Sequence, residues 1–86
     1  MNPQSMDTVR SIALSTLKLS RRRLHETTPW HEAGIDSLET LDLVFAVEGY
    51  YGITIAPADV AAMRSLRDLA TCVDRLTAHE VYAYEA

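Results

Sequence analysis

One cysteine, three glycines and three prolines are spread over 86 residues, and each scarcity removes a class of protein. A lone cysteine, Cys72, allows no intramolecular disulfide framework. Glycines at 34, 49 and 52 are too few and too far apart to form a glycine-rich phosphate loop. No apolar run approaches the roughly 20 residues that a membrane-spanning helix needs. His25, His31 and His79 are scattered and match no zinc spacing. The segment from Met1 to Val9 lacks the basic start and apolar stretch of a secretion signal, so a reducing cytoplasm is the expected setting. A chain of 86 residues can bury one modest core, which predicts a single domain.

What the chain does have is unevenly placed charge. Residues 1–25 carry five basic side chains (Arg10, Lys18, Arg21, Arg22, Arg23) against Asp7. Residues 26–63 carry seven acids (Glu26, Glu32, Asp36, Glu39, Asp42, Glu48, Asp59) and neither Lys nor Arg. An acidic middle repels nucleic acid and attracts basic protein patches. The Arg21–Arg23 run is read as a solvated turn, not a nucleic-acid contact.

Periodicity predicts four helices. Met6, Val9, Ile12, Ala13, Thr16 and Leu17 make one apolar face of a first helix over about 5–19. Residues 20–35 show no sustained period and read as a long ordered loop pinned into the core by Leu24, Trp30 and Ile35. A second helix starts at Asp36 or Ser37, with Asp36 and Glu39 spaced as an acidic capping box, and stops at Gly52. Ile53 and Ile55 lie in an extended connector, and Pro57 opens a short third helix. Ser65 and Asp68 cap a fourth helix that buries Leu66, Leu69, Ala70, Val73 and Leu76 beside a small unreactive Cys72. From His79 onward, with Tyr82 and Tyr84, no period is evident and a frayed tail is expected.

The second helix is apolar around much of its circumference. Leu38, Leu41, Val44, Phe45 and Glu48 fall along one stripe, and Leu43, Ala46, Val47 and Tyr50 along another. Two apolar faces need two partners. One can face the core, and the other, rimmed by Glu39, Asp42 and Glu48, has the composition of a docking surface unless a larger helical interface buries both.

No nucleophile, base and orienting group assemble from the remaining side chains, which weighs against an autonomous enzyme. What stands out is the hydroxyl of Ser37 at the positive end of a helix, a setting that favours a phosphate, although capping alone would also explain a serine there. The succession of helix, long loop, Gly34-Ile35-Asp36-Ser37-Leu38, second helix, short third helix after Ile53-x-Ile55 and capped fourth helix resembles the acyl carrier proteins of fatty acid and polyketide synthesis. The resemblance covers roughly residues 6–78 and rests on Asp36-Ser37-Leu38 followed by the L-x-L-V-x-A-V-E pattern that ends at Glu48.

That resemblance implies an all-α four-helix bundle and a non-catalytic carrier with a 4′-phosphopantetheine arm on Ser37. A phosphopantetheinyl transferase would donate the arm from coenzyme A, with Asp36 helping it to position magnesium and phosphates. Partners would include acyl-loading, ketosynthase or acyltransferase enzymes, docking on Leu38, Glu39, Leu41, Asp42, Phe45 and Glu48 of a monomeric carrier. Leu43, Val47, Ile55, Met63 and Leu69 would line an acyl pocket, although ordinary core packing accounts for them equally well. Gly49 and Tyr50 stand where carriers of primary fatty acid synthesis commonly continue with acids, which points to a specialised carrier of a secondary-metabolite, polyketide or modified-lipid pathway. A peptidyl or aminoacyl carrier is the nearest alternative, and an unmodified helical adaptor is the alternative from another class.

Overall fold

The structure is a computed structural model that describes the backbone of residues 3–18 and 24–85, with side chains as far as residue 78. The Arg21–Arg23 run lies outside the described residues. Four helices follow in order: α1 (Pro3–Leu17), α2 (Ser37–Tyr51), α3 (Pro57–Ala62) and α4 (Leu66–Glu85). The fold is all-α, as predicted, and α1 packs against both α2 and α4.

Met6, Val9 and Ala13 are the part of the α1 face that is buried, with Ile12 and Leu17 half-buried against the core. Thr16, assigned to that face by spacing, is exposed. The helix also stops two residues short of the predicted end, because Lys18 takes a left-handed φ of 55° and breaks the run of i to i−4 bonds. Ser5 is buried at the opposite end, where its hydroxyl donates to Asp74 Oδ1 and ties α1 to α4.

Helix α4 buries Leu66, Leu69, Ala70 and Val73, with Leu76 half-buried beside them. Its N-terminus differs from a simple Ser65 cap: Asp68 Oδ2 accepts from the backbone N–H of Arg64 at 2.8 Å. From His79, where a frayed tail is expected, the backbone is helical through Glu85. Residues 78–85 contain neither Gly nor Pro, so no stop signal interrupts the helix even though its apolar period fades.

The loop from 24 to 35 is ordered, and its anchors are the predicted ones. Leu24, Trp30 and Ile35 are buried with Ala33 in the same core as Leu43, Val47 and Leu69. Its backbone is stitched to the start of α4 and the residues ahead of it: Trp30 N–H donates to Arg64 O at 2.8 Å, and Arg67 N–H to Glu26 O at 2.7 Å. The indole N–H of Trp30 donates to Met63 O at 3.2 Å, so the largest side chain of the loop is satisfied inside the core. These bonds fix the loop that delivers the chain to the start of α2.

Candidate functional site

Asp36 is the N-cap of α2, with φ −85° and ψ 179°, and the capping box is complete. Its Oδ1 accepts from Glu39 N–H at 2.8 Å, while Asp36 N–H donates to Glu39 Oε1 at 3.2 Å. Thr40 adds a hydroxyl bond to Asp36 O at 2.9 Å. The choice left open by the sequence is therefore settled in favour of Asp36, and Ser37 is the first helical residue. Among the described residues nothing binds the Ser37 hydroxyl, and the residue is exposed. Capping does not account for this serine.

Ser37 lines a groove of about 600 Å³ between the loop, the first turn of α2 and α3. Its lining is mostly apolar, from Trp30, Ile35, Leu41, Val60 and Met63, with polar side chains from His31, Asp36, Thr40 and Arg64. Of the five residues predicted to line an acyl pocket, only Met63 borders this opening; Leu43, Val47, Ile55 and Leu69 are packed in the core.

The exposed face of α2 is narrower than its sequence stripes. Leu38 is 73% exposed, Phe45 63% and Leu41 39%, and Asp42 is exposed among them. Val44, assigned to this stripe, is buried with Thr40, Leu43 and Val47. Tyr50, assigned to the inner stripe, is 66% exposed and meets Tyr51 edge to face with centroids 5.0 Å apart. Val44 follows Thr40 by one turn on the buried row, and Tyr50 falls in the last turn of the helix.

Two of the predicted docking acids have structural duties. Glu39 closes the capping box, and Glu48 Oε2 accepts from Ile55 N–H at 2.7 Å, tying the last turn of α2 to the connector. Glu48 is half-buried, with one carboxylate oxygen bonded to the connector. Gly52 ends the helix at φ 67° with its N–H on Glu48 O at 2.8 Å.

Cys72 is 6% exposed, in keeping with a packed thiol, yet a cation lies beside it: Arg75 Nη2 is 3.5 Å from its Sγ and 3.0 Å from Asp59 Oδ2. The Asp59 hydrogen bond, with Cys72 second, raises the Arg75 guanidinium above its ordinary value and keeps it cationic. The thiol read as small and unreactive thus has a basic neighbour. The i, i+3 spacing of Cys72 and Arg75 was the available signal.

An exposed hydroxyl on a capped helix, opening onto a groove with an arginine at its edge, suits a phosphate-linked group that must project to solvent. Among curated proteins no match was found. The family model described as the phosphopantetheine attachment site matches residues 7–73, from α1 through the buried part of α4. The chain therefore belongs to the phosphopantetheine attachment-site family, as a carrier domain of acyl-carrier type that holds 4′-phosphopantetheine covalently.

Proposed function

We propose that Ser37 is the attachment residue and that the chain is an acyl carrier protein presenting acyl groups to successive enzymes of a fatty acid, polyketide or other specialised pathway. The observation that carries this reading is the division of labour at the start of α2: Asp36 and Glu39 hold the helix terminus, leaving the Ser37 hydroxyl exposed and unengaged among the described residues.

When bound, the arm supplies a terminal thiol on which acyl groups travel as thioesters. The protein's own residues do the positioning. Ser37 offers its Oγ from a rigid helical turn, beside backbone N–H groups and a helix dipole that favour negative charge. Asp36 uses Oδ1 for the cap, which leaves its second oxygen available to a transferase-bound magnesium ion. Leu38, Leu41 and Phe45 supply an apolar contact, and Asp42 supplies charge for steering basic enzyme surfaces. A carrier of this kind needs no catalytic group of its own.

The acidic D-S-L-E context supports an acyl cargo over a peptidyl or aminoacyl one, and the family assignment favours a modified carrier over an unmodified adaptor. Among the described residues no helix is long and apolar enough to cross a membrane. Incubation with a fluorescent coenzyme A analogue and a broad-specificity phosphopantetheinyl transferase tests the reading: the parent should be labelled and Ser37→Ala should not. Labelling of the alanine variant would move the site elsewhere.

A further inference from the structure

The end of α2 away from Ser37 borders a second recess. It has a volume of about 430 Å³ and lies between the start of α1 (Ser5, Asp7, Thr8), the last turn of α2 (Tyr50, Tyr51) and Thr77 of α4. It shares no residue with the groove at Ser37, and at 1.5 Å per residue Tyr50 stands roughly 20 Å along α2 from that serine.

Side chains set the electrostatic balance of this recess. The positive end of α1 and the negative end of α2 meet here and offset one another. What remains is acidic. Asp7 lines the recess with its side chain 80% exposed, and Asp74 stands behind it, where its Oδ1 accepts from the Ser5 hydroxyl. Glu48 adds a carboxylate to the last turn of α2, which holds no basic residue. No Lys, Arg or His lines the recess, and the ion pair that reaches Asp7 among the described residues is a loose one: Arg10 lies 3.9 Å away and is shared with Glu26. Beside this charge sits an aromatic pair. Tyr51 is packed against the core, and Tyr50 meets it at 74° while remaining 66% exposed.

We propose that the recess is a docking point for an arginine side chain of a partner protein, the guanidinium lying over the Tyr50 ring and donating to the Asp7 carboxylate. An exposed aromatic face next to a carboxylate satisfies a planar cation twice, by its ring quadrupole and by charge-assisted hydrogen bonds. Arginine fits better than lysine because its flat guanidinium can stack on the ring and still donate in its own plane. Charge complementarity selects this occupant: residues 26–63 hold seven acids and neither Lys nor Arg, so a protein drawn to α2 presents cations to it. Such a contact would anchor a partner at the opposite end of α2 from Ser37.

The peptide acetyl-Gly-Arg-Gly-amide, titrated into the full unmodified chain and followed by amide NMR shifts, tests the inference, with the citrulline and glutamate counterparts as a neutral and an anionic control. The arginine peptide should give saturable shifts grouped at residues 4–8 and 50–51, weakened by added salt, and the controls should give none. Tyr50→Ala and Asp7→Asn should each weaken binding about two- to fivefold while unfolding at the parent's midpoint, and Tyr50→Phe, which keeps the ring face, should bind as the parent does. Ser37→Ala should also bind as the parent does, which keeps this site and the attachment residue separately testable. Equal shifts with the citrulline peptide, binding of the glutamate peptide in place of the arginine one, shifts gathered at Glu39 and Asp42, full binding by Tyr50→Ala, or no saturable shift would each overturn the inference.

Discussion

Asp36 and Glu39 satisfy one another across the first turn of α2, the carboxylate of each accepting from the backbone N–H of the other at 2.8 and 3.2 Å. The pair takes over the capping duty that Ser37 could otherwise perform, and so separates stability from chemistry at adjacent positions. Replacing Ser37 should be structurally mild, whereas replacing Asp36 removes the cap of α2.

Glu39 and Asp42 should therefore respond differently to charge reversal. Glu39→Lys breaks the capping box and places a cation at a helix N-terminus, so it should cost about 1 kcal/mol in chemical denaturation. Asp42→Lys is a surface change and should stay within about 0.5 kcal/mol of the parent. Asp42→Lys should still slow modification by the transferase, most at low ionic strength, because the lost steering is long-range and salt already screens it. Parent-like modification rates for Asp42→Lys across the salt range would remove α2 as the docking face.

The two glycines at the end of α2 should move stability in opposite directions. Nothing lies within 4 Å of a Cβ built at Gly49, inside the helix, so Gly49→Ala should stabilise by about 0.5–1 kcal/mol. Gly52 has φ 67° at the C-cap, and Gly52→Ala should destabilise by about 1 kcal/mol even though its surroundings are open. Thermal melts of the two variants decide the point; a stabilised Gly52→Ala would contradict the left-handed cap.

Trp30 should emit as a buried indole. The residue is 9% exposed and its Nε1–H donates to Met63 O, so native emission should be blue-shifted and move red on unfolding. Trp30→Phe leaves that carbonyl without its donor and should cost about 1–3 kcal/mol. A native spectrum already matching the unfolded one would show the loop to be unpacked.

Much of this was legible in the sequence, and what was not has identifiable physical causes. The capping box, the Gly52 stop, Pro57 at the start of α3 and the burial of Leu24, Trp30 and Ile35 are local or strongly apolar signals, and the structure places each as read. Val44 and Tyr50 were misassigned because a helix apolar around most of its circumference does not reveal which row faces inward. The Glu48 bond to Ile55 and the Arg75 bond to Asp59 depend on how the chain turns between α2 and α4, which no periodicity encodes. The groove at Ser37 is likewise tertiary: Val60 and Met63 are distant from Ser37 in sequence and join it only where the loop bearing Pro29 and Trp30 docks on the segment before α4.

Intact-mass spectrometry after treatment with coenzyme A and a broad-specificity phosphopantetheinyl transferase, followed by peptide mapping, bears most directly on the central claim. The parent should gain one phosphopantetheinyl group, mapped to the peptide containing Ser37, and Ser37→Ala should gain nothing while keeping the parent's helicity. No gain in the parent, or the same gain in Ser37→Ala, would contradict the assignment of Ser37 as the residue that carries the arm.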